Sequence, residues 1–204
     1  MSDYQTSEPY RVRQVPKRAA YDRETVHAIL DAGYVAHVAF VANAGPVALP
    51  LFYVRDGESV LFHGSRKSRF MRLLSEGAPL CFTVTHMDGL VLARSAFHHS
   101  MNYRSVMVHG AAEAVAEADK ARALDLFTAR VRSGRPAEAR PANAQELKAT
   151  AVLRLPLVDV AAKVRTGGPL DDPEDMDLPV WAGVVPMAVT FGEPVRDIAA
   201  VPAE

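Results

Sequence analysis

Five consecutive residues, Ser65-Arg66-Lys67-Ser68-Arg69, carry two hydroxyls and three cations. They follow Leu61-Phe62-His63-Gly64, which reads as the end of a buried strand. They precede Phe70-Met71-Arg72-Leu73-Leu74, which reads as an amphipathic helix start. Hydroxyls and cations are the donors a phosphate group needs. A helix beginning at Ser68 or Arg69 adds free backbone N–H groups and the positive end of its dipole. The plainer alternative is a solvated basic helix start. A second donor-rich group, Asn102-Tyr103-Arg104-Ser105, stands where another strand begins, and there the plainer alternative is a capped loop. Leu49-Pro50-Leu51 lies inside an apolar run. Pro50 cannot donate to a ladder, so it marks a bulge or the point where a strand stops pairing with its neighbour. A flat heteroaromatic ring could lie against such a strand and be read by main-chain N–H and C=O groups. Taken together, the chemistry points to a nucleotide cofactor.

Other chemistries find less support. No G-x-G-x-x-G, G-x-x-x-x-G-K-[ST] or H-E-x-x-H pattern occurs. His98 and His99 are adjacent, so on a strand they face opposite ways, and His63 and His109 stand at strand ends. No dedicated metal site is expected. Ser95, Ser100 and Ser105 lie near histidines, but none sits in a G-x-S-x-G turn. The lone cysteine, Cys81, excludes an internal disulfide and a multi-cysteine zinc site. The 204 residues carry a net charge of −1, which favours neither nucleic acid nor an anionic membrane surface, so any anion site is local. The chain starts without an apolar leader and has no run long enough to span a membrane. A soluble, cytoplasmic protein is the expectation.

The elements that must position these residues follow from the pattern. Residues 1–20 read as an irregular basic arm, ordered only if something binds it. Asp22 caps a helix over 23–32 that Gly33 stops. Strands are expected over 34–42, 46–54 and 59–63, with turns at Asn43-Ala44-Gly45 and Arg55-Asp56-Gly57. The basic turn and a helix over 68–76 come next. Asp88-Gly89 is a hairpin signal between strands 79–87 and 90–96. A strand over 104–115, helices over 117–132 and 144–148, and strands over 150–157 and 160–165 complete the pattern. The connection after Gly167 is long and irregular. Consecutive strands with short turns argue for an antiparallel sheet that closes into a small barrel.

Several stretches carry a family resemblance. They are Tyr21-Asp22-Arg23 with its helix, Val47-Ala48-Leu49-Pro50-Leu51-Phe52-Tyr53, Leu61-Phe62-His63-Gly64-Ser65 with Ser68-Arg69, and the segment Asp88 to Val106. Glu146 to Thr150, Ala162-Lys163-Val164-Arg165 and Pro179-Val180-Trp181-Ala182-Gly183-Val184 add to it. Across roughly residues 20–190 the chain resembles the pyridoxamine 5′-phosphate oxidase-like FMN-binding split barrels, in particular the flavin-nucleotide-binding branch near the nitroimidazole-resistance proteins. The resemblance implies a mainly β protein, a six-stranded antiparallel split β-barrel acting as a homodimer with FMN at the subunit interface. It places the flavin along Leu49, Pro50 and Leu51, and the phosphate at His63, Ser65, Arg66, Lys67, Ser68 and Arg69. Asn102, Tyr103, Arg104 and Ser105 would serve the same site or its partner copy. Lys163, Arg165 and Trp181 would approach from the other subunit. The implied domain covers 21–192, with a tail over 193–204. The activity implied is flavin-dependent oxidation or reduction of a small organic molecule, with His63 as the candidate catalytic residue. Val195-Arg196-Asp197 does not match the Arg and His signature that binds substrate phosphate in true pyridoxamine phosphate oxidases. Related barrels hold deazaflavin or haem, and His63, His98 or His99 are candidates for haem. A non-catalytic protein that stores or senses its ligand is the alternative, and a binder of B6 phosphates is a third reading.

Overall fold

The computed structural model describes residues 3–197. The chain forms two compact units. Among the described residues, one comprises 3–86 and 102–166, and the other 87–101 and 167–197.

The strands are β1 (Ala19–Ala20), β2 (Val35–Ala42), β3 (Gly45–Asp56), β4 (Ser59–Ser65), β5 (Pro79–Leu92), β6 (Ser100–Ala111), β7 (Glu113–Ala114), β8 (Thr150–Pro156), β9 (Asp159–Arg165) and β10 (Gly183–Pro186). The helices are α1 (Arg23–Ala32), α2 (Arg69–Ser75), α3 (Lys120–Val131), α4 (Arg135–Glu138) and α5 (Ala144–Ala149). The sheet runs β1-β9-β6-β5-β2-β3-β4-β8-β7, and β10 pairs with β5. Neighbouring strands pair antiparallel, for example β2 with β3 and β4 with β8. Ten strands exceed the six expected: β1 and β7 are only two residues long, β10 is a four-residue addition, and seven longer strands remain.

In the first unit β3 pairs with β2 over Gly45–Phe52 but meets β4 only from Tyr53 onward. The Tyr53 N–H donates to Tyr34 O at 3.2 Å across β2. Main-chain groups alternate along an antiparallel strand, so those of Phe52, Pro50 and Ala48 face the edge that β4 has left. The nitrogen of Pro50 thus sits where no ladder bond is lost. The barrel opens here, and Pro50 marks the place.

Inward residues such as Val38, Phe40, Tyr53, Phe62, Phe82, Val106 and Leu155 form the main core. Each such side chain contributes about 1.5–3 kcal/mol by leaving water. A second cluster of Val54, Leu61, Ala123, Phe127 and Val152 joins α3 to the outer face of β3, β4 and β8.

Local chemistry explains the ends of α1. The Asp22 carboxylate accepts from the Thr25 N–H at 2.8 Å. Gly33 follows the helix as expected, but with φ −95° it is not a left-handed cap. It is small for another reason: a Cβ there would lie 2.7 Å from Tyr53 Oη.

Two expectations are corrected. Residues 3–20 are tied down without a partner molecule. Tyr4 is buried, its N–H reaches Tyr21 O at 2.9 Å, and its hydroxyl donates to Glu58 at 2.9 Å. Thr6 bonds Val160 O, and Ser7 bonds Asp159. Asp88-Gly89 is also no turn, because β5 runs straight through it. In the second unit Gly89 lies opposite Pro186, and a Cβ on it would meet Val185 O at 3.0 Å. The glycine permits the close approach of β10.

Candidate functional site

The 65–69 turn follows the end of β4. The Arg66 N–H donates to Ala149 O at 2.8 Å, and the Ser68 N–H donates to Ser65 O at 2.9 Å. The Ser65 hydroxyl accepts from the Lys67 N–H at 3.3 Å. Ser68 is the N-cap of α2, yet its side chain makes no capping bond. Its hydroxyl therefore remains for another partner. With seven residues α2 is short, so a phosphate reading rests on the Ser68 and Arg69 side chains more than on a dipole.

The three cations of the turn differ. Arg66 pairs with Glu117, whose carboxylate also takes the Lys120 ammonium at 2.8 Å. These two partners hold Glu117 below the usual carboxylate range, with Lys120 the larger cause. Arg69 and Lys67 pair with no carboxylate among the described residues.

A cleft of about 450 Å³ opens between the β2–β3 hairpin and α2. Ser68, Arg69 and Asn43 supply its polar part; Val47, Leu49, Leu73, Phe40 and Phe70 supply the apolar walls. The Phe40 and Phe70 rings stack with centroids 5.6 Å apart. Leu49 and the Ser68-Arg69 pair, 19 positions apart in sequence, thus line one space. Leu51 is half-buried against the core, and Pro50 is exposed on the other face of β3. Ser65, Arg66 and Lys67 line a separate opening with Gln145 and Lys148.

His63 does not line that cleft. It points outward from β4, edge-on to the Phe127 ring at 4.6 Å. Burial pushes its imidazole pKa below the ordinary value, which favours the neutral form. It bonds no described residue.

The second donor group lies elsewhere in the sheet. Tyr103 stands opposite Arg165, and Ser105 opposite Lys163, within one chain. Arg165, nearly buried, donates to Asn102 Oδ1. Burial lowers its guanidinium pKa, and the Arg18 charge adds to the effect. The Ser105 hydroxyl donates to Lys163 O at 3.3 Å. Arg104 pairs in register with Val164. The strands β5 and β2 separate β6 from β3, about 14 Å at the usual strand spacing. The structure thus brings Asn102, Tyr103, Arg104 and Ser105 together with Lys163 and Arg165, but not with Leu49, Ser68 and Arg69.

The second unit holds Trp181, which is 64% exposed and closes over Gly183, where a Cβ would lie 3.0 Å from the indole. Here the buried Asp171 carboxylate accepts from the Arg94 N–H at 2.8 Å and its guanidinium at 3.0 Å. His98 Nε2 lies 3.0 Å from Asp172, and His99 Nδ1 lies 3.0 Å from Ser95 O.

Sequence reasoning missed Phe40, Asn43 and Phe70 as cleft residues and Glu117 as the partner of Arg66. Nothing in their spacing signals these roles.

No curated protein matches the chain. Among solved structures it is similar to the flavocytochrome Anf3 from Azotobacter vinelandii, at 42% identity over 96% of this chain and 92% of that one, TM-score 0.92. It is also similar to the FAD and heme binding protein from Mycobacterium smegmatis, at 38% identity over 90% of this chain and 91% of that one, TM-score 0.87. A putative 5-nitroimidazole antibiotic resistance protein from Bacteroides thetaiotaomicron shares the fold at 18% identity, over 72% of this chain and 86% of that one, TM-score 0.60. The family model described as pyridoxamine 5′-phosphate oxidase matches residues 22–164. The chain belongs to the pyridoxamine 5′-phosphate oxidase family and has its mainly β, split-barrel fold.

Proposed function

We propose that the chain binds a flavin nucleotide, FMN or FAD, in the cleft between β3 and α2, and uses it in redox chemistry on a small organic molecule. The observation that carries this reading is the cleft itself. It joins the strand beside a free main-chain edge to a Ser68 hydroxyl that caps nothing and an Arg69 that pairs with no carboxylate among the described residues. These groups suit a phosphorylated, planar cofactor: Ser68 and Arg69 would hold the phosphate, and Leu49, Phe40 and Phe70 would exclude water. When bound, a flavin supplies hydride or single-electron transfer; the protein supplies orientation and access. The relatives at 42% and 38% identity are a flavocytochrome and an FAD and heme binding protein, which supports the reading.

The site is shared, in this proposal, between two copies of the chain. The group around Asn102, Tyr103, Arg104, Ser105, Lys163 and Arg165 lies about three strand spacings from the cleft in its own chain. A partner copy would bring it close, together with Trp181.

A second reading has its own support. The His63 imidazole is half-buried, which favours its neutral form, and has no described hydrogen-bond partner. A neutral imidazole is what haem iron takes, so His63 is proposed as a haem ligand in a protein carrying both groups.

The test is a visible spectrum of the purified protein. A flavin band that bleaches with a reduced nicotinamide supports the enzyme, and an added Soret band supports the haem site. A flavin band inert to every reductant leaves binding without turnover. Absence of a flavin band after reconstitution with both FMN and FAD overturns the proposal. A monomeric mass at micromolar concentration overturns the shared site.

A further inference from the structure

On the side of α2 away from the cleft lies another cavity, of about 190 Å³. The two spaces use different faces of the same helix. Arg69, Phe70 and Leu73 line the cleft, whereas Met71, Arg72 and Ser75 line the cavity. At 3.6 residues per turn the two sets are centred about 160° apart. Arg66, Glu117 and Lys120 complete the polar wall of the cavity, and Val152 and Leu153 form its apolar floor.

Lys120 is the unusual member. It is 2% exposed. It sits in the first turn of α3, where the helix dipole opposes a cation. Burying an ammonium is costly unless its donors are used. Of its three N–H groups, one reaches Glu117 at 2.8 Å and one reaches Leu147 O at 3.2 Å. The third has no partner among the described residues. The Arg72 guanidinium likewise has no partner among them. Arg66, Arg72 and Lys120 against Glu117 leave two positive charges on the wall. Glu117 is the one carboxylate there, and its side chain is 66% exposed, so it can turn to water when another anion enters.

We propose that this cavity is a second phosphate-binding site, anchored by the buried Lys120 and completed by Arg72 and Arg66. It stands apart from the flavin site because neither Ser68 nor Arg69 lines it. Two positive charges match a phosphate dianion, and Glu117 competes with that dianion for Lys120 and Arg66. The phosphate is either free in solution or part of a larger phosphorylated molecule.

Calorimetric titration of the purified full-length chain with inorganic phosphate at low ionic strength tests the site. Saturable binding is expected, weakened about tenfold in Lys120→Met and several-fold in Arg72→Ala. Glu117→Gln should tighten it. Arg72 is exposed, so its variant keeps the test valid if Lys120→Met does not fold. A competing titration with adenosine monophosphate separates the sources: displacement assigns the site to an esterified phosphate, and its failure assigns it to the free ion. Absence of saturable binding, or binding equal in wild type, Lys120→Met and Arg72→Ala, overturns the proposal. Flavin retention read on the same samples reports separately on the cleft, so the two sites fail or stand independently.

Discussion

Arg69 and Arg66 are three residues apart, yet they should contribute unequally to cofactor retention. Arg69 lines the cleft and pairs with no described carboxylate. Arg66 is already engaged by Glu117, in a pair whose side chains are 52% and 66% exposed. A charge-assisted hydrogen bond to a phosphate is worth about 1.5–3 kcal/mol. Its loss in Arg69→Ala should therefore weaken flavin nucleotide binding about 10- to 150-fold. Arg66 would first have to leave Glu117, an exposed pair worth about 0.2–1 kcal/mol, and it faces a different opening. Arg66→Ala should thus cost less than about fivefold. The assay is fluorescence titration of the stripped protein with FMN and with riboflavin, which lacks the phosphate, at several salt concentrations. Arg69→Ala should reduce the preference for FMN over riboflavin and flatten the salt dependence. An Arg66→Ala loss equal to or larger than that of Arg69→Ala would refute the ranking. Equal affinity of the wild type for FMN and riboflavin would remove the phosphate contact altogether.

Three further outcomes follow from the packing and the charges. Gly33→Ala places a Cβ 2.7 Å from Tyr53 Oη, whose hydroxyl donates to Leu30 O at 2.5 Å. Denaturant melts should show a loss of about 1–3 kcal/mol, and an unchanged midpoint would contradict the close approach. The Thr25 N–H holds the Asp22 carboxyl below its ordinary pKa, so its cap stabilises fully above about pH 3.9 and is lost as pH falls through the lowered value. Asp22→Ala should cost about 1 kcal/mol at pH 7, with the gap to wild type closing in urea melts toward pH 3. The Asp172 hydrogen bond raises the His98 pKa. Its stabilisation is present below about pH 6.5 and disappears as pH rises through the raised value. An NMR titration should find His98 above His63, and Asp172→Asn should bring it down; no response to that substitution would exclude the pairing.

Short-range features were the legible ones. The β2–β3 turn has Gly45 at φ +121°, and the β3–β4 turn has Gly57 at φ +59°; both belong to the turns expected from sequence. The Asp22 cap also acts within three residues. Pro50 was informative because its missing N–H restricts it to an unpaired edge. Asp88-Gly89 misled, since a glycine serves a tight turn and a close strand approach equally well, and only the position of β10 separates the two. The arm failed for a similar reason. Tyr4 meets Glu58 and Thr6 meets Val160, contacts that no local pattern encodes.

The donor chemistry of the 65–69 turn, the apolar strands and the capped helices follow from residue type and spacing alone. Which cation is free does not. Glu117 neutralises Arg66 from 51 positions away, and Leu147 O reaches Lys120 from 27 positions away. Periodicity and turn propensity act over a few residues. Ion pairing, burial and cleft formation depend on which strands become neighbours, and that is decided when the barrel closes its core and leaves β3 open before Tyr53.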